Sequence, residues 1–217
     1  MNKMPVLIGM LIFAAGFAYP QQENIFQHPL GARTEASFRA VCQSISQRPI
    51  VRGTFEQEKI IKRLNRSLKS SGDFIIAAHL GMVWNTANPF PSTLVLGRDF
   101  LIQSRPGGQR TLLGASGNET FLRMADVIST VFTGNAQGLM DNFEIFFFQS
   151  SSSWEIALIP LDRAINSFAN MIMMSGDTVI RSIQITEQND DIIKYTLSNH
   201  SFPEALNANE NALFTFP

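Results

Sequence analysis

Six segments with the alternation of strands crowd between residues 51 and 103, and this crowding constrains the fold more than any other feature of the chain. They cover residues 51–59, 64–69, 72–78, 82–86, 92–96 and 100–103. Parallel neighbours need a crossover of about a dozen residues or more, so gaps this short argue for adjacent antiparallel strands in one curved sheet. In the first segment Val51, Gly53 and Phe55 fall on one side, with Arg52, Thr54, Glu56 and Glu58 on the other. That pattern predicts a strand with one wet face. Turn formers fill the gaps, among them Ser70-Ser71-Gly72-Asp73, Asn88-Pro89-Phe90-Pro91 and Gly97-Arg98-Asp99. Arg105-Pro106-Gly107-Gly108-Gln109 reads as a loop.

Helical spacing flanks this region. Before it, Ala36, Phe38, Ala40, Val41 and Ile45 predict a helix over 34–46, with Thr34 as N-cap and Glu35 in the first turn. After it, Phe121, Leu122, Ala125, Ile128, Val131 and Phe132 predict a helix over 119–132 capped by Asn118, and a shorter one is expected over 135–142. The apolar run 143–148 leads through the serines at 150–153 into 154–161. Strands then return over 168–174, 179–187 and 192–198, with Gly176-Asp177 and Gln188-Asn189-Asp190-Asp191 as turns. In the middle one, Val179, Arg181, Ile183 and Ile185 alternate with Ile180, Ser182, Gln184 and Thr186, so one face is mostly apolar. Strands, then helices, then strands predict an α+β fold with the helices on one side of one sheet.

Residues 1–18 read as a cleaved signal peptide: Lys3, an apolar stretch from Met4 to Phe17, and a small-residue end at Gly16-Phe17-Ala18. Polar Gln21 and Gln22 arrive too soon for a membrane span. Residues 19–217 are expected to form a single domain, exported to the periplasm and monomeric. With Lys3 gone, 16 basic residues stand against 18 acidic ones, and no dense Lys/Arg block is seen, which argues against nucleic acid as a partner. The lone Cys42 allows no internal disulfide and reads as a small buried hydrophobe before a reactive thiol. Phenylalanine (18) and methionine (9) far outnumber tyrosine and tryptophan (2 each), a mix that fills cores and also makes adaptable apolar binding surfaces.

Catalytic frames are missing. His28, His79 and His200 lie far apart and outside any zinc-binding spacing, so no metal or other cofactor is expected. Gly114-Ala115-Ser116-Gly117 has the wrong spacing for a nucleophile elbow and reads as loop. Glu56 and Glu58 share a strand face but read as solubilising charges, and the serines near Ser150 as a flexible loop. No enzyme is expected; a periplasmic hydrolase is the third reading and lacks a visible nucleophile–base pair.

The ordered segments carry a resemblance. Gly53-Thr54-Phe55-Glu56-Gln57-Glu58-Lys59, Ser71-Gly72-Asp73-Phe74, Met82-Val83-Trp84-Asn85-Thr86, Pro91 with Leu94-Val95-Leu96, and Trp154-Glu155-Ile156-Ala157-Leu158-Ile159-Pro160 come in sequence. Ile183-Gln184-Ile185, then Asp191, Ile193, Tyr195 to Ser198 and Leu213-Phe214-Thr215-Phe216 complete it. Together they resemble the periplasmic outer-membrane lipoprotein carriers, the LolA-like proteins, over nearly all of 19–217. The resemblance implies an incomplete antiparallel β-barrel whose open apolar side is covered by two or three helices. It further implies lipoprotein acyl chains or a free lipid as cargo, an inner-membrane donor transporter and an outer-membrane acceptor. The runner-up is an accessory subunit binding lipid or glycolipid for an envelope exporter. Where that family carries an Arg-Pro that helps to hold the lid shut, this chain has Ala78 and His79, so that latch does not transfer; His79 reads as a turn or surface residue before a substitute. The expected cavity lining is Phe55, Phe74, Ile76, Trp84, Leu94 and Leu96 from the sheet, and Phe121, Leu122, Ala125, Ile128, Val131 and Phe132 from the lid.

Overall fold

The computed structural model describes residues 24–115 and 119–215, without the side chains of 114–122 and 124. The leader expected over 1–18 lies outside the described residues, as does Asn118. A single 3-10 turn, Ile25–Gln27, precedes helix α1 (Glu35–Ser46). Strands β1 (Ile50–Ile61), β2 (Arg66–Ala77), β3 (Gly81–Asn88), β4 (Ser92–Leu96), β5 (Phe100–Ser104) and β6 (Thr111–Ala115) then form a meander. Helices α2 (Glu119–Thr133) and α3 (Ala136–Asn142) lead to the hairpin of β7 (Phe143–Gln149) and β8 (Trp154–Pro160). The one-turn α4 (Arg163–Asn166), strands β9 (Met171–Gly176), β10 (Ile180–Thr186) and β11 (Ile192–Ser201), and helix α5 (Ala208–Leu213) complete the chain.

All eleven strands join one curved sheet in the order β6-β5-β4-β3-β2-β1-β11-β10-β9-β8-β7, and every pairing is antiparallel. The pairing of β11 with β1 welds the two meanders, while β6 and β7 end the sheet, with no further strand beside them, and are bridged along the chain by α2 and α3. This is the expected incomplete barrel. The β7 edge is covered by the segment before α1: the Leu30 N–H donates to the Ile145 carbonyl at 2.8 Å, and the Phe147 N–H to that of His28 at 2.8 Å. Capping an edge this way removes a template for aggregation.

Helix α1 forms where the spacing predicts, and Phe38, Val41, Cys42 and Ile45 bury one stripe against the sheet. Thr34 occupies the N-cap position, but its hydroxyl turns back to Gly31 instead of capping the helix. Gly134 ends α2 with φ +64, and a Cβ there would stand 2.4 Å from the Cys42 carbonyl oxygen, so glycine sets how closely α1 and α2 approach. The Asn135 side chain accepts from the Gly138 N–H and starts α3.

Several segments differ from expectation. The stretches 64–69 and 72–78 are one strand, because Ser70-Ser71-Gly72-Asp73 continues β2 instead of turning. Its glycine answers a close approach: the β2–β3 register shifts at Ser71/Gly72, and a Cβ on Gly72 would fall 1.9 Å from the Asn85 carbonyl oxygen. Gly114 and Ala115 are not loop but the end of β6, an edge strand too short and too evenly apolar to alternate. The strand expected over 168–174 starts later, at Met171, because the Asp162 side chain accepts from the Ala164 N–H and starts α4.

The helices do not all lie on one side. Strand alternation sends Phe74, Ile76, Met82, Trp84 and Leu96 to the concave face, where α1, α2 and α3 pack. It sends Ile75, Ala77, Val83 and Val95 to the convex face, where Leu206, Leu213 and Phe214 cover them. Helix α5 thus seals the outer face of the first meander. A capping box between Asn207 and Glu210 starts it, and Glu210 pairs with Arg52 at 2.6 Å. Arg110 donates to the carbonyls of Leu213 and Thr215, both at 2.9 Å, and ties down the end.

Candidate functional site: two cavities flanking helix α2

Concave-face side chains from both meanders converge on an aromatic stack. Trp84 lies over Phe55 with ring centroids 4.1 Å apart, stacks on Phe74 at 5.7 Å, and takes the edge of Tyr195 at 5.3 Å. Above this floor is an apolar cavity of about 200 Å³. Met82, Trp84, Leu94, Ile172, Ile183, Ile185 and Tyr195 form its sheet side, and Val127, Ile128, Val131 and Phe132 of α2 its roof. Burial, helped by the Glu187 carboxylate, pushes the Tyr195 phenol up to about 12, as a water-poor wall requires.

A second cavity of about 430 Å³ lies on the other flank of α2, against the β2–β3 and β4–β5 turns. Met82, Ile128 and Phe132 line both spaces, so only these side chains and the helix part them. The outer space is mixed in character: Ile76, Leu96 and Ala125 stand beside Arg98, Asp126, Ser129 and Thr133. Among the described residues, no side-chain hydrogen bond or ion pair ties the 125–133 stretch of α2 to a strand. Its only side-chain bond there runs from the Thr133 hydroxyl to the Ser129 carbonyl in its own helix. Apolar contact holds the roof, and such contact breaks and reforms without stranding a polar group.

The expected lining residues divide accordingly. Trp84, Leu94, Ile128, Val131 and Phe132 line the inner cavity; Ile76, Leu96, Ala125 and again Ile128 and Phe132 line the outer one. Phe55 and Phe74 are fully buried supports of Trp84, and Phe74 otherwise borders only a gap of about 30 Å³ beside His200. The Phe121 and Leu122 side chains lie outside what the structure describes. Met82, Val127, Ile172, Ile183, Ile185 and Tyr195 are not among the expected residues, although the alternation of β10 already puts Ile183 and Ile185 on one apolar face.

His79 is exposed in the β2–β3 turn, where its carbonyl accepts from Arg98 Nε at 2.8 Å. Cys42 lies on the buried stripe of α1, and burial pushes its thiol up to about 12. Among the described residues, no three of His, Cys, Asp and Glu stand close enough to hold a metal ion.

The family model of the outer membrane lipoprotein carrier protein LolA matches residues 49–217. Solved structures of low identity align over most of the chain. One is a LolA superfamily protein from Nitrosomonas europaea, with 8% identity, 84% of this chain and 97% of that one covered, and a TM-score of 0.48. The Mycobacterium tuberculosis lipoprotein LppX gives 11% identity, 82% and 100% coverage, and a TM-score of 0.47. A DUF1329 family protein from Desulfovibrio piger gives 8% identity, 84% and 96% coverage, and a TM-score of 0.47. No curated protein matches. Because the family model spans all eleven strands of the sheet together with α2, the kinship is settled: the chain belongs to the LolA family of outer membrane lipoprotein carrier proteins.

Proposed function

We propose that this protein is a periplasmic, non-enzymatic carrier that shields the acyl chains of a lipoprotein or lipid on the way to the outer membrane. The observation that carries the reading is the apolar cavity roofed by α2, with a second space directly behind the helix. A methylene fills about 30 Å³, the share a water takes in the liquid, so the inner cavity as it stands takes on the order of seven of them. That is less than one long fatty tail. Loading therefore moves α2 outward, merging the two spaces through Met82, Ile128 and Phe132. Each sheltered methylene contributes about 0.8 kcal/mol, so a long chain offsets apolar packing given up when the helix lifts.

Family membership supports the cargo class, and the lack, among the described residues, of a polar tie from the 125–133 stretch of α2 to a strand supports reversible loading. By the same kinship the donor is an inner-membrane transporter and the acceptor an outer-membrane protein. Among the described residues no helix is long and apolar enough to cross a membrane. One observation favours a second reading, an accessory lipid-binding subunit of an exporter: Arg98, Asp126, Ser129 and Thr133 give the outer cavity a polar wall suited to a bulky headgroup. Mass spectrometry of co-purified material separates the two.

The reading is tested with a fluorescent acyl probe and the variants Leu94→Asp and Ile128→Asp, which put a charge on opposite walls of the cavity. Each is expected to weaken probe binding at least tenfold while far-ultraviolet circular dichroism stays native. Unchanged affinity in both variants overturns the placement of the cargo.

A further inference from the structure

The β1–β2 hairpin runs past its neighbours. Strand β2 pairs with β3 only from Ser71 on, so the hairpin overhangs that side of the sheet; β1 pairs with β11 as far as Ile60, and Asp191 accepts from the Lys62 N–H at 3.0 Å on that side. The tip is a 3-10 turn, Lys62–Leu64, closed by Asn65 in the left-handed region at φ 46. Every residue from 62 to 69 is exposed, including Leu64 at 52% and Leu68 at 59%.

Its own charge is basic, with Glu58 opposite Lys69 across the hairpin. Lys59, Lys62, Arg63, Arg66 and Lys69 fall within eleven residues that contain no acid, five of the 17 basic residues in the whole chain. Interleaved Ile, Leu, Ser and Asn hide this from a search for an unbroken Lys/Arg block. Lys59 is neutralised by Glu187 at 2.7 Å, and Asp191 accepts from the Lys62 backbone N–H, not from its ammonium. Lys62, Arg63, Arg66 and Lys69 make no ion pair among the described residues. Two exposed leucines set among four unpaired cations suit a surface that is anionic at its face and apolar just beneath it.

The tip also continues the wall of the inner cavity. Ile185, which lines that cavity, pairs with Ile193; Ile193 pairs with Lys59; and Lys59 pairs with Leu68. Residues directly opposite share a face of the sheet, so one cross-strand row leads from the cavity to the exposed tip.

We propose that this hairpin tip docks the protein on an anionic bilayer surface, Leu64 and Leu68 entering the headgroup layer and the four unpaired cations meeting lipid phosphates. Docking does not depend on the cargo reading, since it uses the outside of an empty molecule. An acidic protein partner would also answer the charge, but it leaves the two leucines without a purpose.

The test is co-sedimentation of the purified protein with vesicles of phosphatidylcholine alone, or of phosphatidylcholine mixed with phosphatidylglycerol. Attachment to the mixed vesicles is expected to exceed attachment to the neutral ones at least tenfold and to weaken with salt. Each Lys or Arg near an anionic surface strengthens attachment about fivefold, so Lys62→Glu with Arg63→Glu is expected to cost well over tenfold. Leu64→Ser with Leu68→Ser is expected to cost severalfold. Arg33→Glu, an exposed reversal outside the hairpin, is expected to change little. All these positions are exposed, so circular dichroism and melting temperature are expected to stay at the parent values. Equal attachment to both vesicles, full attachment by the tip variants, or no attachment by the parent overturns the proposal. The first of these signals uptake through the cavity, and the last leaves the tip to an acidic protein.

Discussion

Cys42 and Tyr195 sit in surroundings that resist charge, and both are pushed up to about 12, from 9.0 and 10.0. In the unfolded chain both ionise earlier, so the stability they lend is present in full below pH 9 and drains away as pH rises toward about 12. Urea unfolding is expected to show a loss on the order of 4 kcal/mol between neutral pH and about pH 11, reduced in Cys42→Ala. Native Cys42 is expected to resist iodoacetamide near neutrality and to react once unfolded. An unchanged alkaline slope in Cys42→Ala removes the thiol from this explanation. The thiol's burial is legible in the sequence because Phe38, Val41, Cys42 and Ile45 fall on one helical stripe. The partners of Trp84 are not, since Phe55, Phe74 and Tyr195 come from three different strands and only the register brings them together. Alternation tells which side of a strand a residue takes, but not whether it ends as solid floor, like Phe55, or open wall, like Leu94.

Among the elements, α2 is the one on which the proposed loading turns. Leu96 and Ala125 pack together across the seam between β4 and α2, with Met82, Leu101 and Ile128 around them. A disulfide between Leu96→Cys and Ala125→Cys is therefore expected to pin the roof. Acyl-probe binding is expected to fall at least tenfold under oxidising conditions and to return on reduction, with the inert Cys42 leaving the new pair undisturbed. Full binding by the oxidised protein would mean that α2 does not move. Elements with strong periodicity, α1, α2, β1 and β10, are legible in the sequence. Those set by a local device are not: β2 runs through a serine-glycine stretch because Gly72 admits the Asn85 carbonyl, and α5 rests on a capping box and on Arg52 and Arg110 reaching from the sheet side.

At the scale of the molecule, the β6 and β7 edges never meet, and the chain spans that opening with α2 and α3. A closed barrel would have fixed the volume of its interior; an open one does not, as the proposed loading requires. The convex face of the first meander is covered by α5, which leaves the concave side for the proposed cargo. Which strands end as edges depends on pairing, and alternation alone does not reveal it: read by alternation, β2 splits in two and the end of β6 passes for loop. The claim that the space under α2 receives an acyl chain is tested most directly by photo-labelling with a diazirine-bearing fatty acid and mapping the modified residues. The label is expected on the cavity wall at Leu94, Ile128, Ile183 or Ile185, and is expected to vanish when α2 is pinned. Label confined to the convex face under α5, or unaffected by pinning α2, would contradict it.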